Sequence, residues 1–208
     1  MKYLDVDTWN RKQHYTHFKS LENPSFAVTV NVDVTKVYKK AQKEEHPFFV
    51  LYLHACLKAL NSVENFRYRI HDDKIAIYDV IHASATIARK DNTFGFSFIN
   101  FEEDFYLFNE NFKKEKKRIL NSTDLFPPIN SDDCMYCSAL PWFSFTGHKE
   151  PVSGVKNDSI PKLAFGKTFI EKDQLKMPVA ITVNHALVDG YHIGLFFEEF
   201  QSQLDKNT

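Results

Sequence analysis

The segment 178–194 constrains the fold most, because it joins a strand, a histidine and a helix within a few residues. It begins with a mainly apolar run, which predicts a buried β-strand that leads directly to His185. Apolar residues then recur at helical spacing over 191–204, which predicts a helix. Between the two, Asp189 occupies the position of a helix N-cap, and Gly190 suits a tight turn. The segment therefore predicts an imidazole held at the end of a rigid strand.

The rest of the chain mixes strand patterns with helix patterns. Alternating apolar and polar residues over 27–34 predict a half-buried strand. Helical spacing predicts helices over 48–61 and 101–120, and a polar loop follows over 121–133. Further strands are predicted at 74–78, 84–88, 93–100, 136–145, 163–170 and 179–183. We therefore predict a single domain over 1–208 of the α/β class, an α+β two-layer sandwich whose mixed, largely antiparallel sheet packs against helices.

Charge and cysteine content argue against several classes of protein. The chain has 26 basic and 27 acidic residues, so no charge excess favours nucleic acid as a partner. No stretch approaches the roughly 20 apolar residues of a membrane-spanning helix, so we expect no membrane partner. The 3 cysteines lack the spacing of a disulfide framework, which favours reduced thiols and a cytoplasmic location. Cys134 and Cys137 have the spacing of a zinc or redox pair, but a second ligand pair is missing downstream, so we predict no bound metal.

His185 is the leading candidate for chemistry. An imidazole exchanges protons near neutral pH, and a positioned general base accelerates a reaction by about 10² to 10⁴-fold. The alternative interpretation is a core histidine followed by an N-cap aspartate. The segment from His185 to Gly190 does not by itself decide between these two interpretations.

Three motifs, in order along the chain, resemble the chloramphenicol acetyltransferase family. The segment 185–192 (H-A-L-V-D-G-Y-H) is similar to the family's H-x-x-x-D-G-x-H, which also lies between a strand and a helix. The opening 9–15 (W-N-R-K-Q-H-Y) resembles W-x-R-K/R-x-H-F/Y, and 138–142 (S-A-L-P-W) resembles S-A-x-P-W. The resemblance covers nearly the full length and implies a chloramphenicol-acetyltransferase-like fold. It also implies transfer of an acetyl group from acetyl-CoA, a co-substrate and not a bound cofactor, to a hydroxyl of a small molecule, with chloramphenicol as the leading candidate.

The same resemblance implies roles for individual residues. His185 would take the proton of the acceptor hydroxyl, and Ser138 would stabilise the oxyanion of the tetrahedral intermediate. Asp189 would pair with Arg11 and hold the histidine loop in place, without forming a protease-type triad.

Further implications concern the coenzyme and the assembly. Trp142 and Lys167 match family positions that contact coenzyme A. The family is a trimer with its active sites between subunits, so the resemblance implies a homotrimer.

The match is weaker where the family binds its acceptor. His148 and Glu150 stand where the family has Phe and Leu, and Lys162 stands where a branched aliphatic residue is usual. Ala164 replaces a threonine near the transition state. An apolar pocket should not gain a carboxylate and an amine without partners, so a different hydroxylated acceptor stays open.

Two alternatives to the leading function remain. One is a related acyltransferase with a different acceptor or acyl group. The dihydrolipoyl acyltransferase core shares the H-x-x-x-D-G motif, but it normally comes with lipoyl and linker segments. The other is a ligand-binding relative without catalysis. The lysines of the helix over 101–120 are expected to form a solvated face, with no functional role.

Overall fold

The computed structural model describes residues 1–151 and 158–206 of the protein. Within these residues the strands are β1 (Lys2–Tyr3), β2 (Ser25–Asp33), β3 (Tyr68–His71), β4 (Lys74–Ile77), β5 (His82–Ala88), β6 (Phe94–Phe96), β7 (Cys134–Leu140), β8 (Lys162–Gly166), β9 (Phe169–Glu171) and β10 (Gln174–Asn184). The α-helices are α1 (Lys12–Lys19), α2 (Thr35–Lys43), α3 (Phe48–Ser62), α4 (Phe105–Leu120) and α5 (Gly190–Lys206). A short 3₁₀ helix, Glu64–Arg67, precedes β3.

A mixed sheet organises the molecule. Its strands lie in the order β2-β10-β8-β7-β5-β6, and β9 pairs with the start of β10. The pairs β2/β10, β10/β8 and β5/β6 are antiparallel, whereas β8/β7 and β7/β5 are parallel. Strands β1, β4 and β3 form a second, small sheet. The predicted fold class is confirmed: a mixed, largely antiparallel sheet packs against helices.

The two faces of the main sheet differ in burial, because successive side chains of a strand point to opposite faces. One row of in-register residues is at most 3% exposed and consists of Ala85, Cys137, Leu163 and Ile181. This face packs against the helices, and the rings of Phe165 on β8 and Tyr52 on α3 lie 4.9 Å apart. Helix α3 is buried on nearly all sides, since it also contacts α2, α4 and α5. On the opposite face, side chains of β5, β7, β8 and β10 line two cavities.

Two predicted strands differ from the structure where the chain leaves the sheet. The strand predicted at 136–145 ends just before Pro141, because proline has no N–H for the ladder. The strand predicted at 163–170 is two strands, β8 and β9, separated at Lys167 and Thr168. The N–H of Lys167 donates to the carbonyl of Phe143 at 2.9 Å, outside any strand pair.

The predicted strand at 93–100 and the predicted helix at 101–120 are both shorter than expected. Only Phe94–Phe96 pairs with β5 as a strand. Helix α4 begins at Phe105, because the Oδ1 atom of Asp104 accepts the N–H of the third residue after it at 3.0 Å and caps the helix.

Candidate active site

His185 directly follows the last residue of β10. Its backbone N–H donates to the carbonyl of Pro24 at 2.9 Å, which extends the pairing of β10 with β2. The imidazole stacks on Phe18, with ring centroids 3.8 Å apart and planes inclined by 11°. The ring of Phe26 lies 4.5 Å away. The strand end and these two aromatic rings together fix the plane of the imidazole.

The imidazole of His185 is half-buried, so it is not sealed in the interior. Its Nδ1 atom has no solvent contact and no hydrogen-bond partner among the described residues. Proton exchange with a substrate therefore has to pass through Nε2. The contacts with Phe18 and Phe26 were not predicted, because sequence spacing does not reveal which rings meet across a sheet and a helix.

Asp189 caps α5 and joins it to the start of the chain. Its Oδ1 accepts the N–H of Tyr191 at 3.0 Å, and its Oδ2 accepts from Nη1 of Arg11. The His192 Nδ1 lies 2.9 Å from Oδ1 of Asp189. Burial alone would raise the pKa of Asp189, but the hydrogen bond from Arg11 and the adjacent positive charge lower it overall. Burial lowers the pKa of His192, which leaves Arg11 as the principal cation of the cluster.

Arg11 depends on Asp189 for its main interaction. Its Nε and Nη2 atoms are buried and have no hydrogen-bond partner among residues 1–151 and 158–206. The guanidinium carbon lies 5.8 Å from the centre of the Trp9 ring, which packs against Tyr68 at 5.9 Å. Trp9 thus anchors the segment 9–15, and Arg11 connects this segment to the loop between His185 and α5.

The role predicted for Gly190 is wrong. This glycine lies at the start of α5 outside the left-handed region of φ, and a Cβ placed on it would meet nothing within 4 Å. The turn from strand to helix is closed instead by Asn184, whose Oδ1 accepts the N–H of Ala186 at 2.9 Å. An Asx turn of this kind does not need a glycine.

Ser138 opens into a cavity of about 350 Å³, called here the Ser138 cavity. Its volume is typical of a small-molecule site. The cavity has aromatic walls, formed by Phe96 and Phe126 with their ring centres 5.6 Å apart. On the next strand, Ala164 lies in register with Ser138. The hydroxyl of Ser138 therefore faces a partly apolar space that could hold a small molecule.

Trp142 and Lys167 line a second opening of about 610 Å³, called here the Trp142 cleft. Trp142 is 70% exposed, so it is not a core residue. Lys116 of α4 lines the same cleft, which corrects the expectation that the lysines of this helix form only a solvated face. Among the described residues that line the cleft there is no carboxylate. The cleft therefore combines aromatic surface with net positive charge.

Thr86 lines both the Ser138 cavity and the Trp142 cleft. Its Oγ1 lies 3.5 Å from Oγ of Ser138. The linings of the two openings thus meet at Thr86, beside the Ser138 hydroxyl. Thr86 was not predicted, because it has no sequence signal that distinguishes it from any strand threonine.

Glu150 and Lys162 both line the Ser138 cavity, and each has a partner. The Oε1 atom of Glu150 lies 2.9 Å from Nε2 of His148. The ammonium of Lys162 donates to Oδ2 of Asp158 at 2.6 Å. The cavity therefore contains Glu150 and Lys162 because each of these charged side chains contacts a polar partner.

The register of the sheet separates His185 from Ser138 within one chain. Ser138 pairs with Ala164, which pairs with Ala180, so the three residues form a row across the strands. His185 lies five residues beyond Ala180. With about 3.3 Å per residue along a strand and about 4.8 Å between strands, the Cα atoms of Ser138 and His185 are about 19 Å apart. Their side chains cannot contact the same reacting group within one chain.

Other kinds of site find little support in the described part of the chain. Residues 1–151 and 158–206 contain no helix long and apolar enough to cross a membrane. The same residues contain no group of three or more histidine, cysteine or acidic side chains that could hold a metal ion. Cys134 and Cys137 are buried and free.

Comparison with known proteins identifies the family. The family model described as chloramphenicol acetyltransferase matches residues 1–201. The chloramphenicol acetyltransferase of Klebsiella sp is 28% identical over 204 residues, covering 98% of this chain and 93% of that protein. The chain belongs to the chloramphenicol acetyltransferase family. The chloramphenicol acetyltransferase of Bacillus pumilus is also 28% identical, covering 92% of this chain and 88% of that protein.

Solved structures agree with this assignment. A chloramphenicol acetyltransferase structure has a TM-score of 0.89 and 27% identity, covering 98% of this chain and 99% of that chain. A dihydrolipoamide acetyltransferase of Azotobacter vinelandii shares the fold, with a TM-score of 0.65 and 16% identity over 93% of this chain and 86% of that chain. The predicted resemblance is confirmed, and the chain is an enzyme of the chloramphenicol acetyltransferase type.

The Arg11–Asp189 pair is expected to stabilise the folded chain. Asp189→Asn keeps a capping oxygen but removes the charge that Arg11 contacts, so the free energy of unfolding at pH 7 should fall by about 1–3 kcal/mol. Urea unfolding followed by circular dichroism measures the change. Asp7→Asn, which removes the exposed partner of Lys12, is the control and should leave stability unchanged.

The effect should depend on pH in one direction. Because the folded protein lowers the pKa of Asp189, the stabilisation is complete above the ordinary carboxyl pKa of about 4 and is lost as the pH falls through the lower folded value. The difference between parent and Asp189→Asn should therefore shrink in acid. Equal stability of the two proteins at pH 7 would contradict a supporting role for the pair.

Proposed function

We propose that the protein transfers an acetyl group from acetyl-CoA to a hydroxyl of a small molecule, with chloramphenicol as the first acceptor to test. The observation that carries this proposal is the meeting of the Ser138 cavity and the Trp142 cleft at Thr86. One opening suits an acceptor and the other suits a phosphorylated co-substrate. A reaction between their ligands would occur beside the hydroxyl of Ser138.

In the proposed reaction, Nε2 of His185 removes the proton of the acceptor hydroxyl as its oxygen attacks the thioester carbonyl. The hydroxyl of Ser138 donates to the oxyanion of the tetrahedral intermediate, a contribution worth about 3 kcal/mol in comparable sites. The C–S bond then breaks, and the departing thiolate takes the proton from the imidazolium. The acetyl ester and free coenzyme A are released, and the imidazole returns to its starting state.

We infer that a second copy of the chain completes the site. His185 and Ser138 of one chain are about 19 Å apart by strand geometry, so His185 has to approach the Ser138 cavity of a neighbour. A head-to-tail interface of this kind closes into a ring when each copy is rotated by an equal fraction of a full turn, and a ring of three copies would have three equivalent sites. This inference agrees with the homotrimer that the family resemblance implies.

The binding of coenzyme A is assigned to the Trp142 cleft. Trp142 offers an exposed aromatic face, and Lys167 and Lys116 offer ammonium groups for phosphates. Neither lysine lies within salt-bridge distance of a carboxylate in the described residues, so both are available to a ligand.

A related acyltransferase with another acceptor and a non-catalytic ligand-binding relative are the two alternatives to exclude. A protein that only binds a ligand does not need the Ser138 hydroxyl between two openings. This arrangement therefore favours catalysis. The single-domain organisation and the cytoplasmic location stay predictions, and the three free, buried cysteines are compatible with a reducing compartment.

His185→Ala tests the proposed base. Release of free thiol from acetyl-CoA in the presence of chloramphenicol should fall at least about 100-fold, because a positioned general base contributes about 10² to 10⁴-fold. His14→Ala, on the exposed side of α1, is the matched control and should retain parent activity. Circular dichroism should show that both variants keep the fold. Activity of His185→Ala within tenfold of the parent would argue against this residue as the base.

Lys116→Ala and Lys167→Ala test the coenzyme site. Each should raise KM for acetyl-CoA by about threefold to tenfold with little change in kcat, because an exposed charge contact contributes about 1 kcal/mol. The effect should weaken at high salt, which screens such contacts. Lys117→Ala on the same helix is the control. If Lys116→Ala and Lys167→Ala both had the same KM for acetyl-CoA as the parent, coenzyme A would not bind in the Trp142 cleft.

A further inference from the structure

The floor of the Ser138 cavity is polar, although its walls are aromatic. Ser84, Tyr136, Lys162 and Thr182 are in register on four neighbouring strands. The first three line this cavity, whereas Thr182 lines a neighbouring hollow. In-register residues share a face of the sheet, and the adjacent row packs against the helices, so this polar row points away from them. Burial raises the pKa of Tyr136 to about 12, so its phenol stays neutral. Lys162 is thus the charged residue of the row.

Lys162 is already neutralised within the protein. Its ammonium lies 2.6 Å from Oδ2 of Asp158, and the two side chains are 15% and 18% exposed. An ion pair this close and this buried leaves little charge for a ligand. Lys162 therefore shapes the floor without favouring an anionic acceptor.

Glu150 is in a different situation. Its side chain is 19% exposed, and the group near its carboxylate is the imidazole of His148, 2.9 Å from Oε1. Unlike the ammonium beside Asp158, an imidazole can donate a hydrogen bond to a carboxylate while uncharged, so this contact leaves Glu150 able to accept from a cationic ligand as well. Glu150 lines both the Ser138 cavity and an adjoining hollow near Pro24 and Phe26.

The adjoining hollow does not offset this charge. Among the described residues that line the hollow, three carboxylates (Glu22, Glu150 and Asp158) outnumber two amines (Lys149 and Lys162). An acceptor that fills the cavity with only neutral, apolar groups would bury Glu150 against them, and a desolvated carboxylate without a cation is costly.

We propose that the acceptor is a hydroxylated small molecule that carries an amino group, and that Glu150 binds this amino group. The ammonium would contact the carboxylate, while the apolar part of the molecule packs against Phe96 and Phe126. Aromatic faces also tolerate a nearby cation. The assignment rests on the proposed acetyl transfer and makes Glu150 a specificity-determining residue.

Two acceptors that differ in charge test the proposal. The first is the amine that remains when the dichloroacetyl group of chloramphenicol is removed, and the second is the neutral N-acetyl derivative of that amine. For the parent protein, kcat/KM for ester formation should be higher with the amine. It is measured by thiol release and by cleavage of the product in mild alkali, which hydrolyses an ester but not an isomeric amide. Calorimetry with the same two compounds gives their binding affinities independently of turnover.

Glu150→Gln keeps the shape of the side chain and removes its charge. The preference for the amine should fall at least about tenfold in both kcat/KM and binding, because loss of one partner of a buried charge pair costs more than 1.4 kcal/mol. Glu22→Gln, which changes a carboxylate of the adjoining hollow only, is the control and should keep the parent preference.

The outcomes separate the two proposals. Equal preference in the parent and in Glu150→Gln, or weaker binding of the amine than of the N-acetyl compound by the parent, overturns the role of Glu150. Charge-dependent binding with no turnover of either compound supports Glu150 and contradicts the proposed acetyl transfer. Turnover of both compounds without a charge effect supports the transfer and contradicts Glu150.

Discussion

The antiparallel pairing of β10 with β2 and β8 is the interaction on which the site depends. Pairing with β2 runs from Lys176 to Asn184 and places Pro24 and Phe26 beside His185. Pairing with β8 sets the row that leads to Ser138. Because a one-residue slip in register would exchange the two faces of a strand, the register is strongly specified, and it holds the two catalytic candidates apart. That separation is the reason for assigning the active site to two copies of the chain.

Charge distinguishes the two openings that meet at Thr86. The Trp142 cleft has Lys116 and Lys167 and, among the described residues that line it, no carboxylate. The Ser138 cavity has Glu150, while Lys162 is matched by Asp158. Opposite charges would direct a phosphorylated co-substrate and a cationic acceptor to opposite sides of the same hydroxyl.

The sequence revealed the parts of the site that local patterns encode. The apolar run before His185 and the cap at Asp189 are local features, and the structure contains both the strand and the capped helix that they predict. Helix α2 was missed although its buried residues Val37 and Ala41 follow helical spacing, and strand β3 was missed because a strand of four residues carries little periodic signal. Contacts such as Phe18 on His185 depend on distant pairing, which spacing cannot reveal. The prediction for Gly190 was wrong for a different reason. Glycine is common in turns, so the turn after β10 was attributed to it, whereas the side chain of Asn184 closes that turn.

The most direct test of a site shared between copies is to mix two inactive variants. His185→Ala lacks the proposed base, and Ser138→Ala lacks the proposed oxyanion donor. When the two are unfolded, mixed in equal amounts and refolded, a neighbouring pair can combine an intact His185 with an intact Ser138, so about a quarter of the parent thiol-release activity should return. Each variant refolded alone should stay inactive. Mixed samples no more active than the separate variants would contradict the account.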